Sequence, residues 1–499
     1  MKLVTPRTYP LLVIFCLLSI VFCLYKSGGL PFINKPLIVR HMGEVIRQPI
    51  AAGTFYPNDP TALYHDIKRY LGAEPSLGYT NVRAVLVPHA GYVYSGAVAA
   101  SAFREVSPDF TRVFILASHH NGDVTLSGVS LTEVSHYAIP GAKIPLDGVV
   151  DELKKNPLFV HEPLAHTMQM IEVELPFLHA LKGLSEKPEF TIIPMIVGAL
   201  SKTQTEELAQ ILNKYNDAKT LFVFSVDLSH YFNAKEALTL DARTIDALMG
   251  RDTTALDSAT TDGNQVLQVL TLLAQINEWE PALTKHGHSG EINTTMERVV
   301  GYAGMVFHKP FALKPEEQKS VLDFVRKTIE GSLTIGKTAP DASEMTQLVP
   351  VLGSDRASFV TLKKNNALRG CMGNLMPQTS LIDSLQANAL KAAFEDPRFT
   401  PVTAEEMPNT HISISILDYP QKIVVDDPLK YPDTIKPNID GVIIQYKNNH
   451  STYLPSVWEE IPDPVMFLSS LCRKQDAPMT CWQDREAQLY RYRAFVFEE

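Results

Sequence analysis

Three apolar runs in the first half of the chain each stop at a group able to bind a metal or move a proton, and this pattern restricts the fold more than any other feature. Val85-Leu86-Val87 leads into Pro88-His89-Ala90-Gly91-Tyr92. Arg112-Val113-Phe114-Ile115-Leu116-Ala117-Ser118 ends in His119-His120, and Leu221-Phe222-Val223-Phe224-Ser225-Val226 ends in Asp227-Leu228-Ser229-His230. Continuous apolar runs of this length read as strands buried on both faces, the habit of a parallel sheet covered by helices. In such a sheet ligands gather beyond the carboxyl ends of the strands. The sequence therefore predicts one active site assembled from several strand ends, with Gly91 letting the backbone turn beside His89.

The 499 residues exceed what one hydrophobic core organises, which predicts two domains. From residue 82 onward short apolar runs alternate with helical patterns, so the first domain reads as α/β. Helices are expected over 62–71 and 206–215. A further strand is expected over 191–198, where Pro194 argues for a sheet edge or a bulge. His286-Gly287-His288 reads as a loop. Residues 309–319, with Pro310 and Pro315, suit a linker before a helix over 320–330 closed by Gly331. Strands over 357–363 and 411–417, the latter alternating apolar and polar, make the second domain α+β and antiparallel.

Residues 11–25 form an apolar run after the flank 1–10, with Lys2 and Arg7 before it and Lys26 after it. Residues 11–26 are expected to be a transmembrane anchor or signal segment, the missing small-x-small cleavage site favouring an uncleaved anchor, followed by a tether over 27–47, which would leave a membrane-anchored protein with its domains extracytoplasmic, either periplasmic or extracellular. A formal net charge of −10 gives no basic footprint for nucleic acid. Five cysteines are too few for a disulfide framework; a Cys472–Cys481 bridge is left open by the sequence.

An ordered set of motifs over residues 48–308 resembles the Memo family: Gly53-Thr54-Phe55-Tyr56-Pro57, Pro88-His89-Ala90-Gly91-Tyr92, Ser118-His119-His120, Ile171-Glu172-Val173-Glu174-Leu175-Pro176-Phe177, Ser225-Val226-Asp227-Leu228-Ser229-His230 and Val299-Val300-Gly301-Tyr302-Ala303. The resemblance implies the α/β fold of class III extradiol dioxygenases, which use non-haem iron. It implies metal binding at His89 and His119 with His230 nearby, and it places Glu172 near the pocket. Where the family has a cysteine in a Thr-x-Cys-Gly turn, this chain has Thr260-Thr261-Asp262-Gly263, and the family's histidine three residues before Glu172 is Gln169. Two histidines and a carboxylate make the facial set that holds Fe(II) with positions left open, so the expected ligands are His89, His119 and Asp262. Zn(II) and copper are the alternative metals. His230 is the expected general acid/base and Asp227 a group that orients an imidazole.

Leu368-Arg369-Gly370-Cys371-Met372-Gly373-Asn374, Asp396-Pro397-Arg398-Phe399 and Thr452-Tyr453-Leu454-Pro455-Ser456-Val457-Trp458 resemble the AMMECR family over residues 315–499, giving a second domain at 320–499. Pairing of these two families is typical of the AmmeMemoRadiSam system, which implies a radical S-adenosylmethionine protein as a partner. Cys371 is a candidate nucleophile, its flanking glycines exposing backbone amides and Arg369 favouring the thiolate; the alternative is a small buried thiol in a tight turn. Three functions remain open from the sequence: a metal-dependent oxidoreductase acting on a diol-like or otherwise chelating small molecule, a scaffold without turnover that binds a metal or peptide, and a zinc-dependent hydrolase.

Overall fold

A computed structural model of the protein describes residues 38–499, apart from 42, 75, 80, 123, 186–187 and 334–339. The first domain is built on a nine-stranded sheet. Its strands in chain order are β1 (Val82–Val87), β2 (Arg112–Ser118), β3 (Val129–Leu131), β4 (Phe159–Val160), β5 (Thr191–Val197), β6 (Thr220–Ser225), β7 (His230–Phe232), β8 (Glu280–His288) and β9 (Val299–His308). The four central strands, β1, β6, β2 and β5, are parallel neighbours in that order. Antiparallel strands flank them, β3 against β5 on one side and β9 against β1 on the other.

The apolar runs are explained by burial on both faces. Val85, Val87, Val113, Ile115, Leu221 and Val223 pack into one core with the helices Pro60–Leu71 and Tyr92–Phe103. Their alternating neighbours Leu86, Phe114, Leu116, Phe222 and Phe224 pack into a second core under Lys202–Asn213 and Asn264–Ile276. Successive side chains of a strand point to opposite faces, so a strand between two helix layers must be apolar throughout.

Several local expectations need correction. Pro194 lies in an interior strand, because β5 pairs with β2 along its whole length. Its missing N–H falls in a gap between two short neighbours, β3 opposite 195–197 and the Leu146 bridge to Ile192. Gly91 has φ −58°, a value open to any residue, and serves as the helix N-cap. His286 and His288 stand in strand β8 rather than in a loop. The linker is largely structured: Phe311 and Leu313 are buried in the second domain's core, and the helix after them spans Pro315–Leu333, running through Gly331.

The expected transmembrane helix is also corrected. Residues 11–26 lie outside the described residues, and among the described residues no helix is long and apolar enough to cross a membrane. The membrane anchor and the extracytoplasmic placement inferred from it are not retained.

The second domain carries two antiparallel four-stranded sheets. Ala367–Gly373, Ser358–Lys364, Thr410–Leu417 and Ala494–Glu498 form the first, covered by the helices Pro315–Leu333 and Leu381–Phe394. Gln421–Lys422, Gln488–Tyr492, Gly441–Tyr446 and Asn449–Tyr453 form the second, with its own small core in which Trp458 stacks on Phe467 at 3.7 Å. Cys472 and Cys481 are joined by a disulfide beside that core.

One buried ion pair ties the first described segment to the first domain. Arg47, on the strand Glu44–Arg47, donates from Nη1 to Glu172 Oε2 at 2.7 Å and from Nε and Nη2 to the carbonyls of His166 and Met168. Glu172 also accepts from the N–H groups of Ile50 and Ala51 and from the Tyr56 hydroxyl. Both side chains are almost fully buried, at 2% and 0% exposure. Removing one partner strands the other charge in a low dielectric. Glu172→Ala is therefore expected to cost about 3–5 kcal/mol of stability, read as a lower denaturant midpoint. An unchanged midpoint would contradict this role.

Candidate metal centre

The site lies where the central strands end. His89 follows β1 by two residues, His120 follows β2 by two, and Asp227 follows β6 by two. Strand β7 brings His230 to the same place. It pairs with the first residues of β9, whose last residues pair with β1, so β7 extends the line of β1. A register shift between His230 and Phe232 marks a bulge, and Tyr231 takes a left-handed φ of 65°. Bulges and such backbone conformations re-aim side chains next to functional sites.

Asp262 arrives on the turn before the helix Asn264–Ile276. A Cβ at Gly263 would come within 2.7 Å of Val226 Cγ2, so only glycine lets this turn settle against the end of β6. Asp262 Oδ1 then accepts from the Asp227 backbone N–H at 3.1 Å, and the Ser118 hydroxyl donates to the Asp262 carbonyl. The carboxylate is thus locked to two strand ends, with its other oxygen facing inward.

Three imidazoles face that oxygen. Asp262 Oδ2 lies 3.1 Å from His89 Nε2, 3.0 Å from His120 Nε2 and 4.0 Å from His230 Nε2. In each ring the far nitrogen has its own partner: His89 Nδ1 meets Ser225 Oγ at 3.1 Å, His120 Nδ1 the Ser118 carbonyl at 2.9 Å, and His230 Nδ1 the Leu228 carbonyl at 2.9 Å. A carbonyl can only accept, so the hydrogen of a neutral His120 or His230 sits on Nδ1 and the Nε2 lone pair points at the carboxylate. Lone pairs and a carboxylate facing one another are matched by a positive charge, whether a proton on one ring or a bound cation. Ligand atoms of His89, His120 and Asp262 lie within 4.8 Å of one another, as do those of Asp227, His230 and Asp262.

The electrostatics agree. Burial pushes the His89 imidazole down, but the carboxylates of Asp227 and Asp262 outweigh it and hold it up at about 10. Burial pushes Asp262 up, and His89 and His120 overcome it, leaving the carboxyl well below the usual range. Asp227 is raised by burial, and its Oδ1 accepts from the His89 backbone N–H at 2.8 Å.

The expected ligands are therefore brought together in part. His89 and Asp262 converge, and the third member is His120. His119 is outside both groups: its Nε2 meets the Val124 carbonyl at 2.9 Å, and its buried Nδ1 has no hydrogen-bond partner among the described residues. His230 and Asp227 stand at the site. Glu172 is engaged by Arg47, Tyr56 and two backbone amides and is in neither of these groups. Glu174 went unnoticed in the sequence, although it shares the motif. It is buried, which raises its carboxyl to about 8, and its Oε1 accepts from Ser225, the hydroxyl that holds His89.

Cys371 sits within the strand Ala367–Gly373 of the second domain, not in a turn. Its thiol accepts from Thr361 Oγ1, and Arg369 is committed to Glu406 through two hydrogen bonds. Gly370 is required because a Cβ there would lie 2.1 Å from the Ala392 carbonyl oxygen, so the glycine serves helix packing and not amide exposure.

Comparison with known proteins agrees with this division of the chain. A family model described as Memo-like protein matches residues 47–306, and one described as AMMECR1 matches residues 322–497. A protein of Methanothermobacter thermautotrophicus is 35% identical over 190 residues, covering 38% of this chain and 96% of that protein. Protein MEMO1 of Homo sapiens is 35% identical over 191 residues, which is 38% of this chain and 63% of MEMO1. The crystal structure of the uncharacterized protein PH0010 from Pyrococcus horikoshii matches at 33% identity over 38% of this chain and 94% of its own, with a TM-score of 0.36. The chain belongs to the Memo-like family and carries an AMMECR1 domain after its Memo-like domain.

Proposed function

We propose that the Memo-like domain is a metal-dependent oxidoreductase whose ion is Fe(II), held by His89, His120 and Asp262. The observation that carries the reading is the convergence of imidazole Nε2 atoms on Asp262 Oδ2, each ring being fixed from behind. Hydrogen bonds to the far nitrogen set the tautomer and orientation of metal-binding histidines. The donor set is nitrogen and oxygen only, and two imidazoles with one carboxylate suit non-haem iron and leave positions open. Bound there, Fe(II) would supply one-electron chemistry with dioxygen and a docking point for a chelating small molecule.

The protein's own groups divide the remaining work. His230 is partly exposed, at 30%, and more distant from Asp262, which suits proton transfer at the substrate. Asp227 keeps negative charge beside His89. Val93, Tyr94, Tyr231 and Phe232, all exposed and within five residues of His89 or His230 in sequence, offer apolar surface to an aromatic substrate.

Oxygen uptake with catechols by anaerobically iron-loaded protein is the direct test. Uptake that depends on iron is expected; stoichiometric zinc with no uptake would favour a hydrolase and overturn the proposal. The ligand assignment is tested by metal content. His120→Ala is expected to weaken iron binding by at least ~100-fold, beyond the loss typical of outer-shell changes, whereas His119→Ala should retain it. The reverse result would contradict the assignment.

The pH dependence follows from His89. Its proton is held up to about 10 in the metal-free protein, so below that pH an incoming ion must displace it. Affinity is expected to rise roughly tenfold per pH unit for one displaced proton. A metal titration at two pH values between neutrality and mild alkalinity reads this slope, and a flat response would refute the displacement.

A further inference from the structure

Where the two domains meet they enclose a cleft of about 1060 Å³, separate from the metal centre. Strand β8 supplies part of one wall through Leu283, Lys285 and His286, with Leu238 beside them. The second domain supplies the other through Leu375 and Met376, just after the strand that carries Cys371, and through Ile423 and Ile443. The floor is thus apolar on both sides.

The rim is basic. Lys285 is matched by Glu74 at 2.5 Å. Lys422, Arg485 and His450 also line the cleft and are exposed, and among the described residues no carboxylate lies within salt-bridge distance of Lys422 or Arg485. His286 adds a fixed polar group. Its Nε2 lies 3.0 Å from Oδ2 of the buried Asp241, whose Oδ1 accepts from the Ser229 backbone N–H.

Small-molecule sites are concave, mostly apolar, placed at domain junctions and about 300–1000 Å³ in volume, with a few polar groups that fix orientation. This cleft has that form and is slightly larger than the range, and its unmatched cations set the sign of the ligand's charge. A protein partner would instead need an open surface of about 800 Å² on each side.

We propose that the interdomain cleft binds an amphipathic organic anion, with an alkyl or aryl body against Leu283, Ile423 and Ile443 and an anionic headgroup at Lys422 and Arg485. The site is distinct from the metal centre and does not depend on which ion that centre holds.

Titration of the full chain with anilinonaphthalene sulfonate, followed by fluorescence, tests the proposal. One saturable site is expected, from which octanoate displaces the probe at least ~tenfold more effectively than octanol because the headgroup charge is recognised. Lys422→Glu with Arg485→Glu, both at exposed positions, is expected to raise the Kd at least ~tenfold by reversing that charge. Met376→Trp, which fills the cleft from a side chain 42% exposed, is expected to lower binding as well. Probe binding that survives the double charge reversal, or octanol competing as well as octanoate, would overturn the proposal.

Discussion

The mutual approach of Asp262 Oδ2 and three imidazole Nε2 atoms is the constraint on which the first domain depends. The Asp262 carboxylate and a protonated His89 favour each other's charged forms, and the fold must hold them together away from water. It does so with rigid elements. Two parallel strands deliver His89 and His120, and a bulged strand delivers His230. Asp262 is pinned by Asp227, Ser118 and the missing side chain of Gly263. In the metal-free protein the charge is a proton on His89. In the proposed function a bound cation would take its place.

The strand ends were legible because a strand buried on both faces must be apolar, and a polar residue then stands out where the strand leaves the core. His89, Asp227 and His230 stand out in this way. The choice between His119 and His120 was not legible. The backbone N–H of His119 continues the sheet by donating to Val197, so adjacent histidines fall on opposite sides, and only the register decides which one faces Asp262. The ion pair of Glu172 is hidden for a related reason. Its partner Arg47 lies 125 residues away, and no local pattern reveals a buried ion pair spanning that distance.

The same limit applies to the second domain. The glycines around Cys371 suggested exposed amides, yet Gly370 is small because the helix Leu381–Phe394 passes against it, and Arg369 is held by Glu406. The composition of 309–319 suits a linker, yet Phe311 and Leu313 close the core beneath the helix Pro315–Leu333. Contacts such as Arg493 with Glu280 and Thr239 with Asp426 then join the domains and shape the cleft between them. Local composition identified these segments; their roles came from partners distant in the chain.

An anomalous-difference map at the iron absorption edge, from crystals of the full chain grown anaerobically with ferrous ion, tests the central claim most directly. The account predicts one strong peak within coordination distance of His89 Nε2, His120 Nε2 and Asp262 Oδ2, with His119 still turned to the Val124 carbonyl. A peak ligated by His119, or no peak between the histidines and Asp262 at saturating iron, would contradict it.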